Sequence, residues 1–247
     1  MLELVGLTTF FWRKTGQVYR AEHKDETEST GAGTREALKN KVTWLCALFF
    51  FAYMGVEGES TKPRCELHPS RKVPWANLWA VGLGGWVVTF MLRVRHASEF
   101  ASGASGSGFW AGMALGRASL GFVTERFGER LCITIYLAIC IGLELLFWLV
   151  PKFIVSAVAV AFLGCFLGPL FPGAVMVTAK LLPKRIHVSA IGFAMAIGGT
   201  GGTVFPFAIG AIATHRGVAV LQPIVLALIV VVAGVWLSFP RIKKAVE

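Results

Sequence analysis

Three groups of residues in this sequence have types and spacings that can do chemistry. The first is Gly121-x-x-x-Glu125-Arg126-x-Gly128-x-Arg130, one carboxylate and two guanidiniums gathered around a glycine, with Arg117 shortly before it. Carboxylates accept and guanidiniums donate charge-assisted hydrogen bonds, so such a cluster near a helix end can brace one element against another. The second is a pair of acidic residues, Glu57 and Glu144, each embedded in an apolar stretch. A carboxylate there suits carrying a proton or holding a polar solute, and Trp86 adds a ring face that suits stacking on a sugar. The third is Gly108, Gly112 and Gly116, which recur every four residues and therefore share one helix face, allowing a neighbouring helix to approach closely. No nucleophile with a partnering base appears. The five cysteines (Cys46, Cys65, Cys132, Cys140, Cys165) have no CxxC spacing, and four lie inside apolar runs, where cysteine acts as a small hydrophobe. The sequence therefore predicts no metal, no cofactor and no enzyme.

The elements that hold these groups follow from composition. Of 247 residues, 55% are apolar and 15% charged, well below the quarter or so of a soluble domain. Five long apolar runs cover Phe100–Val123, Leu131–Val150, Phe153–Ala179, Val188–Ala213 and Val218–Phe239. A bilayer core about 30 Å thick needs roughly 20 helical residues, and in lipid the backbone must satisfy itself, so each run reads as a spanning helix. The net charge of +10 sits in short clusters between the runs rather than along one stripe, which argues against a nucleic-acid partner and for the lipid bilayer. The opening MLELVGLTTFFW (1–12) reads as the tail of a preceding membrane helix, and 13–41 as a flexible loop with seven Lys or Arg.

Between these lies an irregular region. Val42–Val56 and Val81–Leu92 are each too short to span, and 58–80 between them is rich in proline and basic residues. Joined directly, the two apolar pieces make one helix. Loop charge favours joining them. One side then carries 15 basic residues, including Arg126, Arg130, Lys180, Lys184 and Arg185, and the other carries four: Arg93, Arg95, Lys152 and Arg216. By the positive-inside rule the richer side, with the 241–247 tail, is cytoplasmic. The 58–80 segment thus reads as an insertion. Its codons can contain a splice donor at Gly58-Glu59-Ser60, a branch-point sequence at Ala76-Asn77 and an acceptor at Ala80-Val81, as a retained intron would, and the gene sequence decides. An ordinary external loop is the alternative.

The signature Gly121–Arg130 loop resembles that of the major facilitator superfamily, usually G-x-x-x-D-R-x-G-x-[RK], with Glu125 in place of the commoner Asp. GVE joined to VGLGGW and VVTFMLRVRH, together with LGPLFPGAV and KLLPKRIHVSAIGF, resembles the seventh helix, tenth helix and following loop of fungal members distantly similar to fucose permease. The resemblance runs from about Thr43 to Ile242. It implies an all-α polytopic bundle of six transmembrane helices, helices seven to twelve, built as two inverted three-helix repeats in a membrane domain over 42–240. It also implies alternating-access movement of a small polar solute such as a sugar, coupled to protons, across the plasma membrane or a vacuolar or other internal membrane.

In such a protein Gly121 lets helices approach, while Glu125, Arg126, Gly128 and Arg130, with Arg117, form a conformational latch. Glu57 and Trp86 line the central cavity, and Glu144, on a greasy outer helix, is expected to snorkel to the surface. The glycine stripe is expected at the interface with the other half. Transport needs that half, from a separate chain or a homodimer. The competing expectation is a truncated membrane protein that does not transport. Pro169, Pro172 and Pro206 lie inside spans, where they free backbone carbonyls and permit bending.

Overall fold

A computed structural model describes residues 34–58 and 85–240, and among these every regular element is helical. They are α1 (Lys41–Gly58), α2 (Gly85–Arg93), α3 (Glu99–Phe127), α4 (Glu129–Leu149), α5 (Phe153–Leu167), α6 (Leu170–Leu181), α7 (His187–Arg216) and α8 (Leu221–Leu237), with single 3₁₀ turns at Lys184–Ile186 and Val218–Val220. The 1–12 stretch, most of 13–41, all of the 58–80 insertion after Gly58, and the 241–247 tail lie outside the described residues.

Four stretches are long and apolar enough to cross a membrane: Glu129–Leu149, Phe153–Leu181, Lys184–Ile209 and Val218–Leu237. The expected fifth, Phe100–Val123, lies on α3. That helix has ample length, 29 residues or about 43 Å, but its glycines, serines and Arg117 make it less apolar. α3 begins at Ser98, whose side chain accepts from Ala101 N–H, and runs further than its apolar run suggested. It stops at Gly128, whose φ of +94° breaks the helix; the same residue starts α4.

Two corrections concern connections. Residues 34–39, expected in a flexible loop, are helical, with Ala37 buried and Glu36 paired to Arg185. The TREALK stretch is made largely of good helix formers, and the Asn40 side chain then accepts from Val42 N–H to start α1. The Phe153–Ala179 span is interrupted at Gly168–Pro169, because Pro169 and Pro172 both lack the N–H that would continue the ladder.

Packing is closest where glycine meets a facing backbone. A methyl placed on Gly112 would lie 2.1 Å from Ala161 O, and one on Gly116 1.9 Å from Cys165 O. From the α5 side, Gly164 and Gly168 present the same closeness to Phe109 O and Met113 O. Gly112 and Gly116 therefore pack against α5 of the same chain rather than presenting their face to another half, while Gly108 keeps ordinary contact, 3.7 Å from Ala161 Cβ. α1 and α7 also meet closely, through Gly201, 2.1 Å (as a methyl) from Phe51 O, with Gly198 against Phe50 Cβ and Gly55 against the Phe205 ring. An aromatic core of Phe49, Tyr53 and Trp236 fills the space between α1 and α8. Large apolar side chains such as Phe100, Phe122, Ile154 and Phe207 point outward, as a lipid-facing surface requires.

Candidate functional site

The break between α5 and α6 is where the site is built. In an unbroken helix Gly168 O would accept from the N–H of residue 172, but Pro172 has none. Arg117 Nε donates to that carbonyl instead, at 3.3 Å. One residue earlier, Leu167 O accepts from the buried Tyr53 hydroxyl at 3.2 Å. Arg117 also uses its other arm: Nη2 donates to Glu57 Oε1 at 3.1 Å. A proline break on one helix, a guanidinium on a second and a carboxylate on a third are thus tied into one network.

Its depth follows from helix rise. Glu57 lies sixteen residues beyond Lys41 on α1, roughly 24 Å, and Arg117 ten residues before Phe127 on α3, roughly 15 Å. Both therefore lie well away from the helix ends at Lys41 and Phe127. Glu57 is mostly covered, with 17% side-chain exposure, while Arg117 keeps 45% and faces open space. The pair therefore presents a cation, neutralised from below, to whatever occupies that space.

The expected partners are rearranged. Arg117, assigned to the latch, binds Glu57, and Tyr53, unremarked in the sequence, stands one turn before Glu57 on the same helix. That i, i+4 spacing was the available signal. Trp86 lies on α2, but its side chain is outside the described ones. Glu144 does not snorkel. It is fully buried, and neither carboxylate oxygen has a partner among the described residues, because α4 turns this face inward against α5 and α8.

The signature loop is only partly occupied. Glu125 and Arg126 are exposed, without a charged partner among the described residues, and Gly121 has open space around it rather than a close helix. Arg130 Nη2 donates to Phe239 O at 2.8 Å, fastening the start of α4 to the end of α8. The carboxylate that pairs in this region is Glu129, with Lys180 at the end of α6, a contact that sequence spacing did not single out. On the opposite side Arg95 Nη2 donates to Phe147 O and Trp148 O at the end of α4. Among the described residues no three His, Cys, Asp or Glu side chains converge as a metal centre would need.

Residues 74–246 match the family model described as Major Facilitator Superfamily. Among curated proteins, the chain is similar to Bypass of stop codon protein 6 of Saccharomyces cerevisiae, 30% identical over 232 residues. That alignment takes in 90% of this chain and 42% of the yeast protein, so the chain spans about two fifths of that relative's length.

Proposed function

The chain belongs to the Major Facilitator Superfamily, and from that membership we propose that it forms the C-terminal six-helix unit of a proton-coupled transporter for a small polar solute, with Glu57 and Arg117 at the solute site. Membership and the four apolar spans support a multi-pass membrane protein of a transporter family. The finer reading rests on one observation, the ion pair between Glu57 and Arg117 beside the α5–α6 break, well away from the helix ends at Lys41 and Phe127. An ionisable residue there is costly, and one that stays partly open to its surroundings is placed to exchange partners.

Coupling follows from charge. When Glu57 takes up a proton, its Oε1 ceases to be an anionic acceptor and Arg117 Nη2 is released, free to donate to a solute hydroxyl or carboxylate. When the solute leaves, Arg117 draws Glu57 back to its carboxylate form, and the proton departs on the side to which the site is then open. Arg117 Nε keeps its hold on Gly168 O, so the exchange is registered on the α5–α6 break. Arg130 and Gly128 hold the cytoplasmic turn of the latch, and Glu125 and Arg126 point outward to meet an opposing element.

The inverted-repeat reading is supported by the paired seams. α1 meets α7 as α5 meets α3, each through closely packed glycines (Gly201 against Phe51 O in the first seam), and α4 and α8 pack on each other. Charge asymmetry supports a cytoplasmic C-terminus. Alternating access needs a second six-helix unit across the open face, from further sequence, a separate chain or a second copy. Proteoliposomes carrying the protein with that partner unit test the reading. Solute-driven proton uptake should occur in the wild type and vanish in Glu57→Gln, while solute counterflow persists. Unchanged proton uptake in Glu57→Gln refutes the assignment.

A further inference from the structure

The corner where the chain enters α1 carries cations with no role in the Glu57–Arg117 network. Residues 34–39 form a helical turn joined to α1 through Asn40, with no loop between them. Asn40 N–H donates to Ala37 O at 3.1 Å, and the Asn40 side chain accepts from Val42 N–H at 2.9 Å. The turn is fixed from two sides. On one, Ala37 is buried with Leu182, Ile186 and Ala190, where α6 gives way to α7, and Glu36 pairs with Arg185. On the other, Trp44 Nε1 reaches back across the junction and donates to Leu38 O at 2.8 Å. The helical period sorts what remains. Arg35, Leu38 and Lys39 share one face of the turn, and Lys41, Trp44 and Leu48 share one face of α1; all six are exposed. Arg35, Lys39 and Lys41 have no ion-pair partner among the described residues, and the carboxylate of their own turn, Glu36, is taken by Arg185.

Neighbouring spans put this corner at a membrane surface. The Phe153–Leu181 span ends and the Lys184–Ile209 span begins beside it. α1 runs parallel to α7: Trp44 meets Phe193 with ring centroids 5.3 Å apart, then Phe50 meets Gly198, Phe51 meets Gly201 and Gly55 meets Phe205. Lys41 therefore stands close to the level at which α7 starts. Trp44 has its ring on the span and its N–H turned toward the surface, the posture of an interfacial tryptophan. Leu48 carries the exposed apolar strip one turn further in. Unpaired cations beside such a strip complement an amphiphile with an anionic head, whereas a soluble anion would leave the strip unused. A phospholipid of the adjoining leaflet has both parts. Loop charge assigns this surface to the cytoplasm, where anionic lipids are concentrated.

We propose that Arg35, Lys39 and Lys41 form the headgroup site of an anionic phospholipid whose acyl chains lie along Trp44 and Leu48. The site is separate from the Glu57–Arg117 pair toward the other end of α1 and stands whether or not that pair binds a solute. The test is thermal unfolding of the full chain in phosphatidylcholine nanodiscs with and without phosphatidylserine, together with native mass spectrometry of the lipid retained. Phosphatidylserine should raise the wild-type midpoint by a few degrees and be retained with a several-fold preference over phosphatidylcholine. The triple variant Arg35→Gln, Lys39→Gln, Lys41→Gln should lose both effects while unfolding like the wild type in phosphatidylcholine alone. Lys152→Gln, at the opposite end of the bundle, should keep both. Should the triple variant fold poorly, several-fold weaker retention in Lys39→Gln carries the same test. Equal retention in wild type and triple variant overturns the proposal, as does an equal loss in Lys152→Gln, which would mark net charge alone. The same midpoint shift from inorganic phosphate in phosphatidylcholine nanodiscs also overturns it, by marking a free-anion site.

Discussion

Gly116→Ala adds one methyl group at the closest helix contact in the bundle. That methyl would lie 1.9 Å from Cys165 O, 2.7 Å from its carbonyl carbon and 2.9 Å from its Cα, all of them backbone atoms that cannot rotate aside. Ordinary contact begins near 3.4 Å, so α3 and α5 must separate by more than an ångström or the methyl must displace a carbonyl. Overpacking of this kind costs about 1–3 kcal/mol. Replacing glycine within a helix returns at most about 1 kcal/mol, and less in lipid, where the backbone bonds form regardless. The overlap wins, so the variant should be less stable by roughly 1–2 kcal/mol, a fall of about 2–8 °C in the unfolding midpoint. Gly108→Ala, two turns earlier on the same face, is the control. Its methyl would meet Ala161 Cβ at 3.7 Å, and the variant should match or slightly exceed the wild type. Tryptophan fluorescence during thermal unfolding in nanodiscs measures both. Equal midpoints for the two variants would refute the packing argument, as would a Gly116→Ala protein as stable as the wild type.

Arg117→Leu should weaken the fold by about 1 kcal/mol, a modest figure because the Arg117 side chain is nearly half exposed, and adding Glu57→Gln should restore part of it; a double-mutant cycle in denaturant measures the coupling. Tyr53→Phe removes the hydroxyl that satisfies Leu167 O and should cost about 1 kcal/mol, read from the same unfolding curves. Gly128→Ala places a β-carbon at φ +94° and should lower the unfolding midpoint by a few degrees, whereas Gly121→Ala, in open space, should not.

Much of the frame could be read from one-dimensional patterns. Run length and loop charge marked out α4, the α5–α6 span, α7 and α8, whereas the prolines indicated bending without telling the break at Pro169 from the unbroken helix around Pro206. The turn between α3 and α4 was visible in the Glu125–Arg130 spacing. Pairings were hidden because they depend on which helix faces which. Glu57 and Arg117 are separated by 60 residues, including the 58–80 insertion, and nothing local to either indicates the other. The partner of the Gly112–Gly116 face was likewise set by Gly164 and Gly168 on α5, whose role depends on approach rather than conformation. Glu144 misled because an outer helix still has an inward face, and the sequence of α4 is apolar on all sides. Glu129, rather than Glu125, found Lys180 because the turn at Gly128 directs the first residues of α4 toward the end of α6.

The short helix α6 is fastened at both ends by polar side chains of other helices. Its upper end begins at the break where Arg117 and Tyr53 hold the carbonyls, and its lower end carries Lys180 against Glu129. It is therefore a rigid rod held at both ends, one beside the break at Pro169 and the other against α4. The Arg117 contact at Gly168 and the Lys180 contact with Glu129 are thereby joined across about 18 Å. One rigid rod of twelve residues thus ties the surroundings of Glu57 to the turn between α3 and α4.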